Sequence, residues 1–455
     1  MDTGPRMHWA TLLSAQRLGG SPVAQDRGRS VFVQDHDRIV FSAPFRRLAN
    51  KTQVQPLYEN DHVHHRLIHS VEVSSVGRSL AMGVGLRLAE RGEINESRIH
   101  DLADIVQAAC VAHDIGNPPF GHSGEEAMRA WFSDRIAANQ GLIADLSPDL
   151  HPEFEAFEGN AQGFRILTRL EMYRGEGGMR LAKATLGAFT KYPVAAADRK
   201  ALIGARREGP PYIGLKKFGI FHSDLPQFAE TARTLDLPEM ERGTARFWAR
   251  HPLVFLMEAA DDITYNIVDM EDAFTTGELP FEAVEKCLEA VAEPSKQMMA
   301  GMTEAEKIAY LRAQGIGNAI KACIDTFMAH YEPIMQGVFS KDLVGSSRLG
   351  EAFSTIRTMA RERVFTAPRK TELEISGHRI IANVMSGVLP VYEDLARNEW
   401  NAQGLSSHSQ QLVRALSLDL RDIADAEGAL HALADFTSGM TDRYALRISR
   451  MLSGT

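Results

Sequence analysis

Four side chains have the types and the setting to hold a divalent cation: His69, the adjacent pair His113 and Asp114, and Asp261. Each sits in a different apolar, helix-patterned stretch. Two imidazoles and two carboxylates make a mixed nitrogen and oxygen set suited to Mn, Mg, Fe, Ni or Zn with coordination positions left open. Such an ion can bind a phosphate and lower the pKa of a coordinated water, which points to hydrolysis. The run after the pair, Ile115-Gly116-Asn117-Pro118-Pro119-Phe120-Gly121-His122-Ser123-Gly124-Glu125, adds a histidine and a glutamate that need not be ligands.

Helix geometry limits how these residues can be used. Adjacent residues on a helix point about 100° apart, so His113 and Asp114 can reach one ion only near a helix end. Gly116 and Pro118-Pro119 supply that end. Asp261, Tyr265 and Asp269 recur every four residues and share one helix face, between apolar neighbours such as Leu256 and Val268. Burying those carboxylates without a metal or a partner would cost several kcal/mol.

Periodicity predicts helices over 65–91, 99–113, 156–169, 247–274, 303–339 and 379–396, one from Pro280 to about 300, and more in the tail to 452. A further helix is expected from Ser123, read as its N-terminal cap ahead of Glu125-Glu126. Strand patterns are scarce, and 372–375 is the best short candidate. The fold expected is therefore mainly α with at most a short β element. Residues 1–45 read as a polar, irregular arm leading into a short helix near 42–48. A catalytic core of 46–275 would carry a loop-rich insertion at about 192–219, and 276–455 would form a C-terminal helical region packed on it.

Composition narrows the function classes. The chain has 455 residues, 44% hydrophobic and 24% charged, ample for a large core. A formal charge of −9 argues against a protein built to coat nucleic acid, yet leaves room for an anionic substrate held by a metal and a few lysines. Cys110, Cys287 and Cys323 lack CxxC spacing and read as reduced thiols of a cytoplasmic protein. Residues 1–10 hold no apolar core of signal-peptide length, and no stretch approaches the roughly 18 apolar residues of a membrane span.

At the residues of the metal set the chain resembles the HD-domain superfamily of phosphohydrolases, and within it the deoxyguanosine triphosphate triphosphohydrolase family. The matching words run through most of the chain in order: Phe41-Ser42-Ala43-Pro44-Phe45-Arg46-Arg47-Leu48, Lys51-Thr52-Gln53-Val54, Arg66-Leu67-Ile68-His69, the 113–125 run, Phe157-Glu158-Gly159-Asn160-Ala161-Gln162, Lys216-Lys217-Phe218-Gly219, Asp261-Asp262-Ile263-Thr264-Tyr265 and Ser438-Gly439-Met440-Thr441-Asp442. The resemblance implies a helical HD fold, His69, His113, Asp114 and Asp261 as ligands of Mn or Mg, and hydrolysis of a deoxynucleoside triphosphate to nucleoside plus triphosphate. Releasing triphosphate intact requires attack at the α-phosphorus with the sugar O5′ leaving.

His122 is then the candidate acid and base, since imidazole titrates near neutral pH. Glu125, one turn on, can orient that ring and favour its charged form. The family assigns them these roles and makes Arg66, one turn before His69, a phosphate contact. Lys191, Lys216 and Lys217 are further phosphate candidates, and Asn117 and Asn160 candidate site-lining amides. Gln53 is a candidate for the sugar or base edge. A ring at Tyr265 close under the deoxyribose would leave no room for a 2′-hydroxyl, while Asp269 could accept from the 3′-hydroxyl. Relatives assemble as tetramers or hexamers, and some respond to a second nucleotide or to single-stranded DNA. Two readings compete: another HD nucleotidase or phosphodiesterase, opposed by the Tyr265 and Asp269 face, and a non-enzymatic nucleotide sensor or single-stranded nucleic-acid binder, opposed by the charge of −9 and only 7% aromatics.

Overall fold

The computed structural model describes residues 6–20, 28–52, 65–204, 212–295, 297–364 and 368–454. The fold is mainly α. Five long helices, Arg66–Glu90, Ile99–Ala112, Val254–Thr275, Glu304–Ala329 and Pro368–Arg397, form its frame. The sheet among the described residues is one antiparallel hairpin, Glu239–Arg242 paired with Ala245–Trp248. Its two-residue loop turns through Gly243 at φ +64°, a conformation that costs glycine little. The expected strand at 372–375 lies instead inside the Pro368–Arg397 helix. Four alternating residues cannot outweigh the helical period that continues for two dozen residues beyond them.

Three further expectations are corrected. The N-terminal residues are not irregular: Trp9–Leu12 and Val31–Val40 are helices. Met7, Trp9, Leu12, Phe32 and Ile39 from this stretch are buried in the core, and a buried Arg17–Asp35 pair at 2.6 Å ties its two halves. The helix expected from Ser123 starts earlier, at Gly121, with Phe120 at its cap position. Ser123 is spent elsewhere, its hydroxyl donating to the Glu374 carbonyl at 3.2 Å. The helix after Pro280 ends at Ala292, well short of 300.

Apolar burial falls into two clusters, each fully buried side chain contributing roughly 1.5–3 kcal/mol. One gathers the N-terminal helices with Arg66–Glu90, Ile99–Ala112, Val254–Thr275 and Glu304–Ala329. The other joins the Gly121–Ala138 helix to Pro368–Arg397 and the C-terminal helices. The 113–121 loop passes from one to the other: Ile115 belongs to the first and Phe120 to the second. Small residues set the close approach that the loop needs. A Cβ on Gly77 would stand 2.5 Å from Cys110 Sγ, and one on Gly116 would stand 2.1 Å from both Gly159 O and Gly163 N.

The Gly116 neighbours are backbone and cannot rotate aside. Gly116→Ala is therefore expected to cost about 1–3 kcal/mol of stability. Gly317→Ala, with nothing within 4 Å of its new Cβ, should be neutral or gain up to about 1 kcal/mol. Urea unfolding of both variants beside the parent protein measures the difference, and equal midpoints would contradict the packing argument.

Candidate metal centre and active-site cavity

His69 sits in the first turn of Arg66–Glu90, and His113 caps the C-terminal end of Ile99–Ala112. Asp114 follows in the loop, and Asp261 projects from Val254–Thr275. Ligand-type atoms of His69, His113 and Asp114 all lie within 4.8 Å of one another. Asp261 joins them: its Oδ1 is 3.2 Å from His69 Nε2 and 3.6 Å from His113 Nε2. The four residues separated by almost two hundred positions thus converge on one point.

The donor set fits a divalent ion. His113 Nδ1 faces the Cys110 carbonyl at 2.7 Å, an acceptor only, so Nδ1 carries the proton and Nε2 keeps its lone pair. That Nε2 is buried and has no hydrogen-bond partner, an arrangement costing about 1–3 kcal/mol if nothing answers it. Burial lowers the His113 pKa, against the opposing pull of Asp114 and Asp261, so the ring stays neutral as a ligand must. Burial alone would raise both carboxylates, yet Arg66 and His113 hold Asp114 well below the usual range, and Lys191 with the two histidines does the same for Asp261.

The cations that hold them are named by distance. Arg66 ion-pairs with Asp114 Oδ2, and Lys191 Nζ lies 2.9 Å from Asp261 Oδ2. Asn117 Nδ2 donates to Asp114 Oδ1 at 2.5 Å. Arg66 and Lys191, two of the four expected phosphate contacts, are therefore at the centre, engaged with its carboxylates.

His122 and Glu125 face the same space from the Gly121–Ala138 helix. His122 Nδ1 is 3.1 Å from Glu125 Oε2, with the imidazole 86% exposed and the carboxylate only 3%. Glu125 is pinned: its Oε1 accepts from Gly159 N–H at 2.7 Å, and Arg129 and Lys217 stand near Oε2 at 3.4 and 3.8 Å. Burial favours the neutral acid, but the His122 hydrogen bond and the Lys217 charge prevail and hold Glu125 down to about 2. A Cβ at position 159 would stand 2.3 Å from Asn117 Oδ1 and 2.8 Å from Glu125 Oε1. Glycine there is what lets the loop, the carboxylate and the next helix meet.

A cavity of about 610 Å³ opens over these groups, lined also by Asn160, Lys216, Lys217 and Tyr265. Lys217 is engaged by Glu158 at 2.8 Å, whereas Lys216 is exposed. Burial and Asp269 drive the Tyr265 phenol above its ordinary range, and Tyr265 hydrogen-bonds Asp269. Asp269 itself is buried behind Tyr265 and does not line the cavity. Gln53 lies outside the described residues.

Sequence reasoning missed the far wall, where Asp342, Arg357 and Glu374 enter from the C-terminal half. No spacing signal ties them to the metal set. It also missed Tyr192, Glu258 and Asp262, although the last two share the Asp261 helix. Burial, then the like charges of Glu258 and Asp261, push the Asp262 pKa up to about 7.

A helical frame that gathers two histidines and two aspartates from three helices and the loop after one of them defines the HD class of metal-site proteins, and the HD domain family matches residues 66–157. Over 98% of its length the chain is 39% identical to a deoxyguanosinetriphosphate triphosphohydrolase-like protein of Pseudomonas aeruginosa, covering 99% of that protein. A protein of the same description from Synechocystis is likewise 39% identical, with 98% and 99% covered. The deoxyguanosinetriphosphate triphosphohydrolase of Salmonella schwarzengrund is 32% identical over 91% of this chain and 92% of its own. The chain belongs to the deoxyguanosinetriphosphate triphosphohydrolase family of HD-domain hydrolases. Among the described residues no helix is long and apolar enough to cross a membrane, and all three cysteines are free and buried.

Two groups outside the cavity fix the loop that carries the site. Lys51 Nζ is buried and donates to the carbonyls of Asn117 at 2.6 Å and Ser438 at 2.7 Å. Asp442 accepts from Phe120 N–H at 2.9 Å and Thr52 N–H at 3.1 Å, which holds Phe120 in its left-handed conformation at φ 63°. Burial lowers the Lys51 pKa from 10.5 to about 7. Between those two values the unfolded chain binds more protons than the folded one, so the Lys51 contribution to stability rises with pH across that window. Urea midpoints measured from pH 7 to 10 should therefore rise more steeply for the parent protein than for Lys51→Met. Parallel curves would show that the buried amine does not titrate in the folded state.

Proposed function

We propose that the protein hydrolyses deoxynucleoside triphosphates, dGTP or several dNTPs, to deoxynucleoside and inorganic triphosphate. The observation that carries this reading is a single cavity in which the four-donor centre, the cations Arg66, Lys191, Lys216 and Lys217, and the His122–Glu125 pair face one another. His69, His113, Asp114 and Asp261 would hold the ion, with Mn or Mg foremost and Ni, Fe or Zn also suited to the donors. When bound, the ion supplies Lewis acidity toward a phosphate oxygen and toward water.

The chain's own residues supply the rest. Water adds at the α-phosphorus and the bond from phosphorus to O5′ breaks, which leaves the triphosphate whole. The departing O5′ needs a proton, and His122 delivers it from a ring that Glu125 holds at Nδ1, leaving Nε2 toward the substrate. Arg66 and Lys191, now committed to Asp114 and Asp261, are placed to pass to phosphate oxygens once those carboxylates are otherwise neutralised. Lys216 and Lys217 extend the cationic wall, and the Asn117 and Asn160 amides line it. Tyr265, with its hydroxyl drawn toward Asp269, presents its ring to the sugar and so disfavours a 2′-hydroxyl.

Protein purified with Mn should release triphosphate and deoxynucleoside in equal amounts from a deoxynucleotide, resolved by phosphorus NMR and chromatography. Chelator, His113→Ala or Asp261→Ala should abolish turnover. Pyrophosphate or single phosphates as first products would contradict attack at the α-phosphorus.

His122→Ala should lower kcat by about 10²–10⁴-fold while leaving the bound metal unchanged by elemental analysis. Undiminished kcat in that variant would remove His122 from the chemistry.

A further inference from the structure

A second cluster of ligand-type side chains lies away from the cavity. Glu153 stands on the His151–Glu155 helix, and Glu427 and His431 are one turn apart on Ala426–Ser438. One ligand-type atom from each lies within 4.8 Å of the other two. Glu153 and His431 are 2% and 1% exposed, and Glu427 is half-buried. His431 Nε2 meets Glu153 Oε1 at 2.9 Å, and Glu153 Oε2 accepts from His222 N–H at 2.7 Å.

The remaining valences are empty. His431 Nδ1 and Glu427 Oε1 are both buried and have no hydrogen-bond partner among the described residues. Among the described residues no lysine or arginine ion-pairs with Glu153 or Glu427, so two carboxylates share one imidazole. Low-polarity surroundings make that imbalance costly. The rings of Phe154 and Phe221 flank His431 at 4.9 and 4.8 Å, so the imidazole itself sits between apolar surfaces. Burial pushes the Glu427 pKa upward, with His431 opposing and Glu153 reinforcing it, as expected for an acid short of a counter-charge.

We propose that Glu153, Glu427 and His431 form a second metal site, separate from the HD centre, that takes a borderline divalent ion such as Zn(II). One imidazole and two carboxylates are donors that Zn(II) accepts, and three protein ligands leave a position for water. The ion would join three segments distant in sequence: the His151–Glu155 helix, the C-terminal Ala426–Ser438 helix and, through the Glu153 to His222 contact, the strand of loop that carries Lys216 and Lys217. Phe218, Phe221 and Phe157 continue that link, with ring centroids 5.7 and 6.1 Å apart. Its work is to brace the cationic wall from behind.

The test counts metal and does not read hydrolysis, so it stands or falls apart from the proposed reaction. Glu427 Oε1 makes no hydrogen bond among the described residues and the side chain is part-exposed, so Glu427→Ala should fold, whereas His431→Ala would empty the space between two phenylalanines. Parent protein, Glu427→Ala, Asp261→Asn and the variant carrying both are stripped with chelator, dialysed against low-micromolar free zinc and measured by elemental analysis. Glu427→Ala should bind one zinc per chain fewer than the parent, and the double variant should lose a further equivalent through Asp261. Glu427→Gln, matched in volume, should show the same deficit. Equal zinc counts in the parent and in either folded Glu427 variant, with folding checked by circular dichroism, overturn the proposal.

Discussion

Asp114 and Asp261 are carboxylates drawn largely out of water, 13% and 25% exposed, and the molecule is organised around answering their charge. Leaving one such group unpaired costs about 3–5 kcal/mol, a large share of any domain's stability. Arg66 and Lys191 answer it here, together with two imidazoles that are themselves buried. These groups must come from several elements, because no single helix face presents four donors to one point: Arg66 and His69 share one helix, His113 ends the next, Asp261 stands on a third, and Asp114 and Lys191 come from loops. The need to converge explains the small residues at the crossing of Arg66–Glu90 with Ile99–Ala112, and the break at Gly116 that turns Asp114 back toward His113. It also places the centre where the two apolar clusters meet, since only a loop passing between them can bring the Glu125 helix to the Asp261 helix.

The elements that sequence revealed are those whose signal is local. Helical period over 65–91 and 99–113 survived into the structure within a residue, whereas the helices expected over 247–274 and 303–339 run only over Val254–Thr275 and Glu304–Ala329. The types of the four ligands announced themselves because buried acids and histidines are odd company for valines. Even so, the buried face of Arg66–Glu90 is not its apolar one throughout: Val71 is exposed, while Ser70, Ser74 and Gly77 are buried. Helix–helix contact there selects for smallness rather than hydrophobicity, and a pattern of apolar residues cannot report it. The polar N-terminal stretch misled for a related reason, since Arg17 and Asp35 are charged yet fully buried against each other.

Long-range contacts left no such trace. Asp342, Arg357 and Glu374 complete the cavity from a part of the chain with no spacing relation to the HD residues, so nothing short of the fold could bring them forward. Other words matched the family without suggesting a task. Lys51, Asp442 and Glu158 turn out to touch no reacting position: they clamp the loop backbone or neutralise Arg129 and Lys217. Motif residues of this kind preserve geometry, and a sequence displays them in the same way as those that carry chemistry.

The pair His122 and Glu125 shows how the two kinds combine. Four neighbours reach Glu125 at once, the Gly159 backbone N–H, His122, Arg129 and Lys217, so its depressed pKa reflects architecture as much as charge. A carboxyl held down to about 2 is ionised near neutral pH, so it steadies the imidazole and gives up no proton itself. Its contribution to stability is complete above the ordinary glutamate value of 4.5 and fades as the pH falls toward 2. The proton the proposed reaction needs must then come from the exposed ring of His122, the one member of the pair that solvent can recharge between turnovers.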